Sequence, residues 1–260
     1  MAARIWARGQ TQHTLRMPRR TAAKTPPTVP DFERWLMRRH DERDDGDAGT
    51  TTKGERTRGR LLQAAARQLR ALGFERFGVA AVCREAGVTR TALYRHFPHK
   101  QALVLALVAE FQAFLGEALR QSRGTPARAA GVDPVLATNL AYVRLYRAHA
   151  PMVHAVQQAR QALDDAERLK FEMNEQWARK VALSIDSGAD AAAKRAPKAR
   201  PSRASREALA TAYALEAMVD GFLAEWLLRR NPHLAALDLS DKDVARVLTA
   251  AWRGAMRPAR

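Results

Sequence analysis

The sequence predicts an all-α chain, with a small N-terminal three-helix unit followed by a larger C-terminal helical domain. Three observations carry this. From residue 55 onward, apolar residues recur at helical spacing. Two short stretches of that kind are separated only by Gly87-Val88, the mark of two helices meeting at a tight turn. No segment reads convincingly as a strand, and no internal repeat is found.

Residues 1–54 read as a disordered basic/acidic tail. They are rich in Arg, Thr, Pro and Asp and sustain no apolar periodicity. The acidic run Asp41, Glu42, Asp44, Asp45, Asp47 leads into Gly49–Gly54, a linker composition. Removing this tail is expected to leave the fold intact, and Met17 and Met37 are alternative starts. The first helix carries Leu61, Leu62, Ala65, Leu69 and Leu72 on one face, with Thr57 as its N-cap and Gly73 as its stop. The second spans about Val79–Ala86. The third spans about Thr89–Phe97, capped by Thr89 and ended by Pro98. A fourth, about His99–Gln121, is apolar nearly all round at Leu103–Val108 and should be central. Five more follow at about 133–148, 151–159, 161–185, 205–230 and 241–256. Pro151 suits a first helical turn and Ser240 an N-cap. The segment 186–205 is dense in Ala, Lys, Arg and Pro and reads as a flexible loop.

The 260 residues carry a net charge of +17. Such a surplus favours polyanionic partners, although two basic segments on an ordinary protein would give the same total. The single cysteine, Cys83, permits no intrachain disulfide and no thiolate metal cluster, and it reads as a small buried residue. His149 and His154 lack converging ligands and read as surface or helix-end residues, so neither a metal nor a cofactor is expected. The apolar run Ala102–Ala109 ends at Glu110, short of the ~20 residues of a membrane span. With no secretory apolar stretch either, a cytoplasmic protein with no membrane partner is expected. No phosphate-binding glycine loop, H-E-x-x-H or G-x-S-x-G motif occurs, so an enzyme is not expected.

The turn at Gly87 carries the chemistry. Glycine tolerates the backbone conformation of a tight turn, and Val82, Val88 and Leu93 lock the two helices together. The opposite face of the second of them is then free to enter a major groove. It presents Thr89, Arg90, Thr91, Ala92, Tyr94 and Arg95. Arginine can read a guanine edge with two hydrogen bonds, and threonine or alanine methyls can touch thymine. His96 and Lys100 stand where the chain leaves the groove, beside a helix N-terminus that favours phosphate.

The stretches Thr57–Ala65, Leu72-Gly73-Phe74 and Ala86–Leu103 together resemble the TetR (tetracycline repressor-like) family of transcriptional regulators. The match covers about residues 55–105 and departs at Gly78, Leu69 and His99, where the family usually has a capping threonine, a phenylalanine and a small capping residue. The resemblance implies a helix-turn-helix DNA-binding domain over 55–101 and a helical ligand-binding and dimerisation domain over 102–260. It implies groove or groove-edge positions at Thr89, Arg90, Thr91, Ala92, Tyr94 and Arg95. Phosphate contacts are implied at Thr57, Tyr94, His96 and Lys100. Glu216–Leu228 and the last helix resemble the family's dimer interface. The aromatics and methionine Phe111, Phe114, Tyr142, Tyr146, Met173 and Trp177 read as core, or as the lining of an effector pocket on the helices that usually surround one.

The expected function is a homodimeric repressor that binds an inverted-repeat operator in double-stranded DNA and is released by a small, largely apolar molecule. The rivals are a nonspecific architectural DNA binder, which the charge favours, and an enzyme on a helical scaffold.

Overall fold

The structure is a computed structural model that describes residues 29–41, 53–122, 133–192 and 204–256. The described residues are helical and include no strand. The helices are α1 (Phe32–Asp41), α2 (Lys53–Arg76), α3 (Val79–Ala86), α4 (Arg90–His96), α5 (Lys100–Ser122), α6 (Pro134–Ala148), α7 (Ala150–Ala162), α8 (Asp164–Ala192), α9 (Arg206–Leu223), α10 (Pro232–Ala235) and α11 (Asp241–Ala255). A π-helical turn, Ala224–Leu228, extends α9. We call α2–α4 the head and α6–α11 the body, with α5 running from one to the other.

The expected tail is corrected by α1. Residues 29–41 are ordered, and the helix docks through Phe32, Trp35 and Leu36, all buried in the core. The reason is local. Asp31 caps the helix by accepting from the amide of Arg34 at 2.9 Å. Phe32, Trp35 and Leu36 then fall at i, i+3 and i+4, one apolar face on a short helix. The remainder of the tail, 1–28 and 42–52, lies outside the described residues. Truncating at Met37 would remove three core side chains.

Two other boundaries move. α2 begins at Lys53, so Thr57 is inside the helix, and its hydroxyl donates to the Lys53 carbonyl at 2.8 Å instead of capping. Gly73 does break the helix, at φ 72 and ψ 174, before one last turn to Arg76. α8 runs on to Ala192, into the segment expected as a loop from residue 186. Its alanines are good helix formers, and Asp186 accepts from the amide and hydroxyl of Ser205, the N-cap of α9, each at 2.8 Å. Residues 193–203 of that expected loop lie outside the described residues.

The largest core joins α1 through α7, from Phe32 through Leu93, Phe114 and Leu145 to Ala159. It therefore spans head and body. α5 is long and apolar enough to cross a membrane by length and composition. Here Leu103, Val104, Leu107, Val108, Phe111 and Phe114 are buried among neighbouring helices, which makes it a core helix. A second core joins α6, α9 and α11 around Val143, Tyr146, Val219, Leu223, Val244 and Leu248. A third, between α8 and α9, is built from Ala178, Ala182, Ala208 and Ala212.

Candidate nucleic-acid interface

α3 ends where Gly87 takes φ 65, ψ 39, a left-handed conformation that costs glycine little. The amide of Val88 donates back to the Cys83 carbonyl at 3.0 Å, which closes the turn. Gly78, where the family usually has a capping threonine, supplies no side-chain cap to α3. Thr89 then caps α4, its hydroxyl oxygen accepting from the amide of Ala92 at 3.2 Å. Val82 and Leu93 are fully buried between the helices. Cys83 lies with them, and burial pushes its thiol up, so it stays protonated and apolar.

With Leu93 turned inward, Thr89, Arg90, Thr91, Tyr94 and Arg95 are exposed, while Ala92 and His96 are half-buried. Tyr94 is 46% exposed, unusual for so large a ring on a folded helix. The six groove residues read from the sequence thus lie on or beside one outward face, with no ion pair to another of the described residues. The nearest carboxylate on α3, Glu85, is held elsewhere by Arg67 and by Gln68 at 2.7 Å. Those hydrogen bonds keep it below the usual carboxylate range.

The phosphate positions are more varied. His99 starts α5 with a side-chain cap, Nδ1 accepting from the amide of Ala102 at 3.1 Å. It does the work of the small capping residue it replaces. Lys100 lays its ammonium over the rings of Phe74 at 5.2 Å and Phe77 at 5.6 Å. It is half-buried and therefore a positioned charge, not a free one. Thr57 lines a cleft of about 370 Å³ with His40, Lys53, Arg56, Gly59, Arg60 and Gln63. Beside Thr57, the cations Lys53, Arg56 and Arg60 stand at i, i+3 and i+7, a stripe of which only Thr57 was read from the sequence although the spacing was legible. Arg58 lies over the Phe97 ring at 4.5 Å and ties the first turns of α2 to the end of α4. Across residues 53–100, eleven Lys or Arg side chains face three Glu, so the head alone is strongly cationic.

The six candidate pocket residues are not brought together. Phe111 and Phe114 are buried beneath α1, with the Phe32 ring at 5.1 and 5.4 Å. Tyr142 and Tyr146 meet edge to face at 6.1 Å in the second core. Trp177 packs edge-on to Trp252 at 5.7 Å, and Met173 is 36% exposed. Beside Tyr142 lies a charged network the sequence did not reveal. The Tyr142 hydroxyl donates to Asp220 at 2.6 Å, and Lys170 bridges Glu216 at 2.6 Å and Asp220 at 3.0 Å. His149, expected at the surface or at a helix end, stands at the junction of α6 and α7 and is buried there. Its Nε2 lies 2.9 Å from the Pro30 carbonyl and its ring edge meets Phe114 at 5.1 Å. His154 is exposed.

Comparison with known proteins agrees with this geometry. The family described as bacterial regulatory proteins, tetR family, matches residues 61–107, from the first turns of α2 through α4 into α5. The N-terminal unit of this chain is a tetR-family domain. An HTH-type transcriptional regulator from Haemophilus influenzae is 40% identical over 70 residues, which is 26% of this chain and 34% of that protein. The match thus spans about a third of the length of that curated relative. A TetR-family transcriptional regulator from Streptomyces coelicolor has a similar structure, with a TM-score of 0.51 at 20% identity over 78% of this chain and 95% of the other. A transcriptional regulator from Rhodococcus sp. Rha1 gives a TM-score of 0.51 at 20% identity, covering 76% and 93%. These likenesses extend the family's fold, a helix-turn-helix head and a helical body, over most of the chain. The family is one of regulators and not of enzymes.

Proposed function

We propose that this chain is a cytoplasmic, homodimeric transcriptional repressor that binds an inverted-repeat operator and is released by a small, largely apolar effector. The observation that carries the DNA half is the outward face of α4. Thr89, Arg90, Thr91, Tyr94 and Arg95 are exposed together on a helix whose other side is locked by Leu93. A helix so mounted is shaped for a major groove. Lys100 and the stripe Lys53, Arg56, Thr57, Arg60 supply the flanking phosphate contacts, which set affinity and not sequence.

Dimerisation is supported by a face on α9 and α11 that no other described residue covers. Ala210, Tyr213, Ala214, Ala217 and Gly221 share one exposed side of α9, and Val247, Ala250, Ala251 and Gly254 one exposed side of α11. Small apolar residues across two adjacent helices let a second copy approach closely about a two-fold axis. Two-fold symmetry in the protein demands two related half-sites.

The effector half rests on α5, which runs unbroken from Lys100 at the head to Ser122 in the body. With Phe111 and Phe114 covered by α1, the effector's aromatic contacts fall to Tyr142 and Tyr146, where Asp220 and Lys170 offer polar partners. An effector releases DNA only by binding the off-DNA state more tightly.

The test is to sequence DNA fragments selected by the purified protein and to footprint the best of them. The expected result is a symmetric pair of half-sites. Arg90→Ala should relax base preference, at a cost of about 1–3 kcal/mol. A monomer on a single asymmetric half-site would overturn the dimeric reading, and equal affinity for random DNA would favour the architectural binder.

A further inference from the structure

We propose that α1 is an intramolecular strut that fixes the angle between head and body, and so sets the half-site spacing the dimer accepts. The spacing part rests on the operator binding proposed above.

α1 lies antiparallel along α2. Near one end Glu33 pairs with Arg70 at 3.0 Å, and near the other His40 meets Gly59. A Cβ added at Gly59 would stand 3.0 Å from the His40 Cβ, so this approach depends on glycine. The same helix grips the far side of the junction. Trp35 Nε1 donates to Glu117 at 2.9 Å, Arg39 pairs with Glu110 at 2.9 Å, and Phe32 and Trp35 pack on Phe111 and Phe114. Burial pushes the Glu110 carboxyl up, but His40 and Arg39 outweigh that and keep it ionised for the pair. At the α6–α7 junction, the neutral His149 ring donates from Nε2 to the Pro30 carbonyl.

A second attachment makes the strut consequential. At the Gly73 break, the Phe74 amide donates to Gln158 Oε1 on α7 at 3.0 Å. Gln158 therefore pins α2 near its C-terminal end. One pin leaves a hinge. The approach at Gly59 lies 14 residues away, ~21 Å along a helix axis, and a second pin at that distance removes the swing. A ten-residue helix is not stable alone in water, so α1 is helical because it is docked, and undocking frees the head.

Two variants and one rescue test this. Phe32→Ala with Trp35→Ala undocks α1, and Glu117→Gln weakens only the polar contact. A chain lacking residues 1–41 is tested with and without a synthetic peptide of residues 29–41. Binding is measured on half-site pairs of graded spacing. Wild type should discriminate against its non-preferred spacings about tenfold, and the undocked variants about twofold, a change within the usual range of coupling between sites. Affinity for a single half-site should hold, and the peptide should restore discrimination. Glu117→Gln should fall between. Spin labels at Arg95→Cys and Glu175→Cys, in a Cys83→Ala background without DNA, should give one narrow head–body distance that broadens when α1 is undocked. Folded variants with unchanged spacing preference, or an unchanged distance distribution, would overturn the strut. If wild type itself binds no paired half-sites, the operator reading falls together with the spacing claim, and the label distances still decide whether α1 braces the head.

Discussion

The core around α5 and the seam between α8 and α9 are held by different physics. Around α5 the fully buried side chains are large and apolar, among them Phe111, Phe114, Leu36, Leu61, Leu69, Leu93 and Leu103. Between α8 and α9 the buried residues are alanines, and the side chains that reach across are Lys170, Asn174 and Glu216. Large interlocking side chains resist sliding, because any displacement opens voids. An alanine seam offers little to interlock, and its ion pairs set the register through charge. The first region suits a rigid mounting for the reading helix. The second suits a joint that a ligand could shift.

The largest expected effect comes from breaking the first region. Phe114 is fully buried and touches Phe32, Trp35, Phe111 and His149. Phe114→Ala should cost about 3–5 kcal/mol. Chemical denaturation with the midpoint followed by far-UV circular dichroism checks this. A loss below 1 kcal/mol would mean that α1 collapses into the gap and that the core is not rigidly packed.

The two regions also differed in how much of them could be read. The Gly87 turn, the Thr89 cap, the Ser240 cap with its reciprocal Asp243 bonds, and the outward face of α4 are local, and each was legible. α1 was legible in principle through Asp31, Phe32, Trp35 and Leu36, but one apolar turn was outweighed by the charged composition on both sides of it. The six pocket candidates do not converge, for another reason. Helical spacing says that Phe111, Tyr142 and Trp177 face inward, but not which of three cores each enters. The Lys170–Glu216–Asp220 network joins residues 46 and 50 positions apart, and no periodicity reports such a pairing.

The next effect breaks the second region. Lys170→Ala leaves Glu216 and Asp220 facing each other without a cation and should cost about 2–3 kcal/mol, less than a fully buried pair because some solvent remains. Lys170→Met combined with Glu216→Gln and Asp220→Asn should recover much of that loss. The pH dependence has a definite sign. Burial alone would raise Asp220, but the Lys170 charge and the Tyr142 hydrogen bond hold it below its ordinary 3.8. Its contribution is therefore present above 3.8 and lost as the pH falls through the folded value. Burial alone would lower Lys170, but Asp220 and Glu216 raise it above 10.5, so its contribution is present below 10.5 and lost as the pH rises through the folded value. Thermal melts from about pH 2 to about pH 12, which bracket the ordinary values, should show both losses in wild type and neither in the triple variant. Identical profiles would remove the network from the stability of the seam.

The smallest expected effect sharpens the contrast inside the head. Thr89 caps α4, and Leu93 is the one residue of that helix buried in the core. α4 is thus held by few contacts, although the core beneath it is rigid. Thr89→Ala should cost about 1 kcal/mol. A rigid mounting predicts that this loss stays local. Hydrogen exchange at the amides of Ala92 and Leu93 should quicken while that of α5 is unchanged. Operator affinity should fall with it, because a frayed first turn no longer holds Arg90 and Thr91 in place. Thr89→Ser separates the cap from the methyl group, since serine keeps the accepting oxygen and loses only the carbon that could touch thymine. If Ser restores exchange protection and affinity together, the cap is what matters. If Ser restores protection but not affinity, the Thr89 methyl reads a base directly. Should Thr89→Ala quicken exchange throughout α5 as well, the head and the central helix would unfold as one unit, and the distinction between a rigid mounting and a lightly held reading helix would fail.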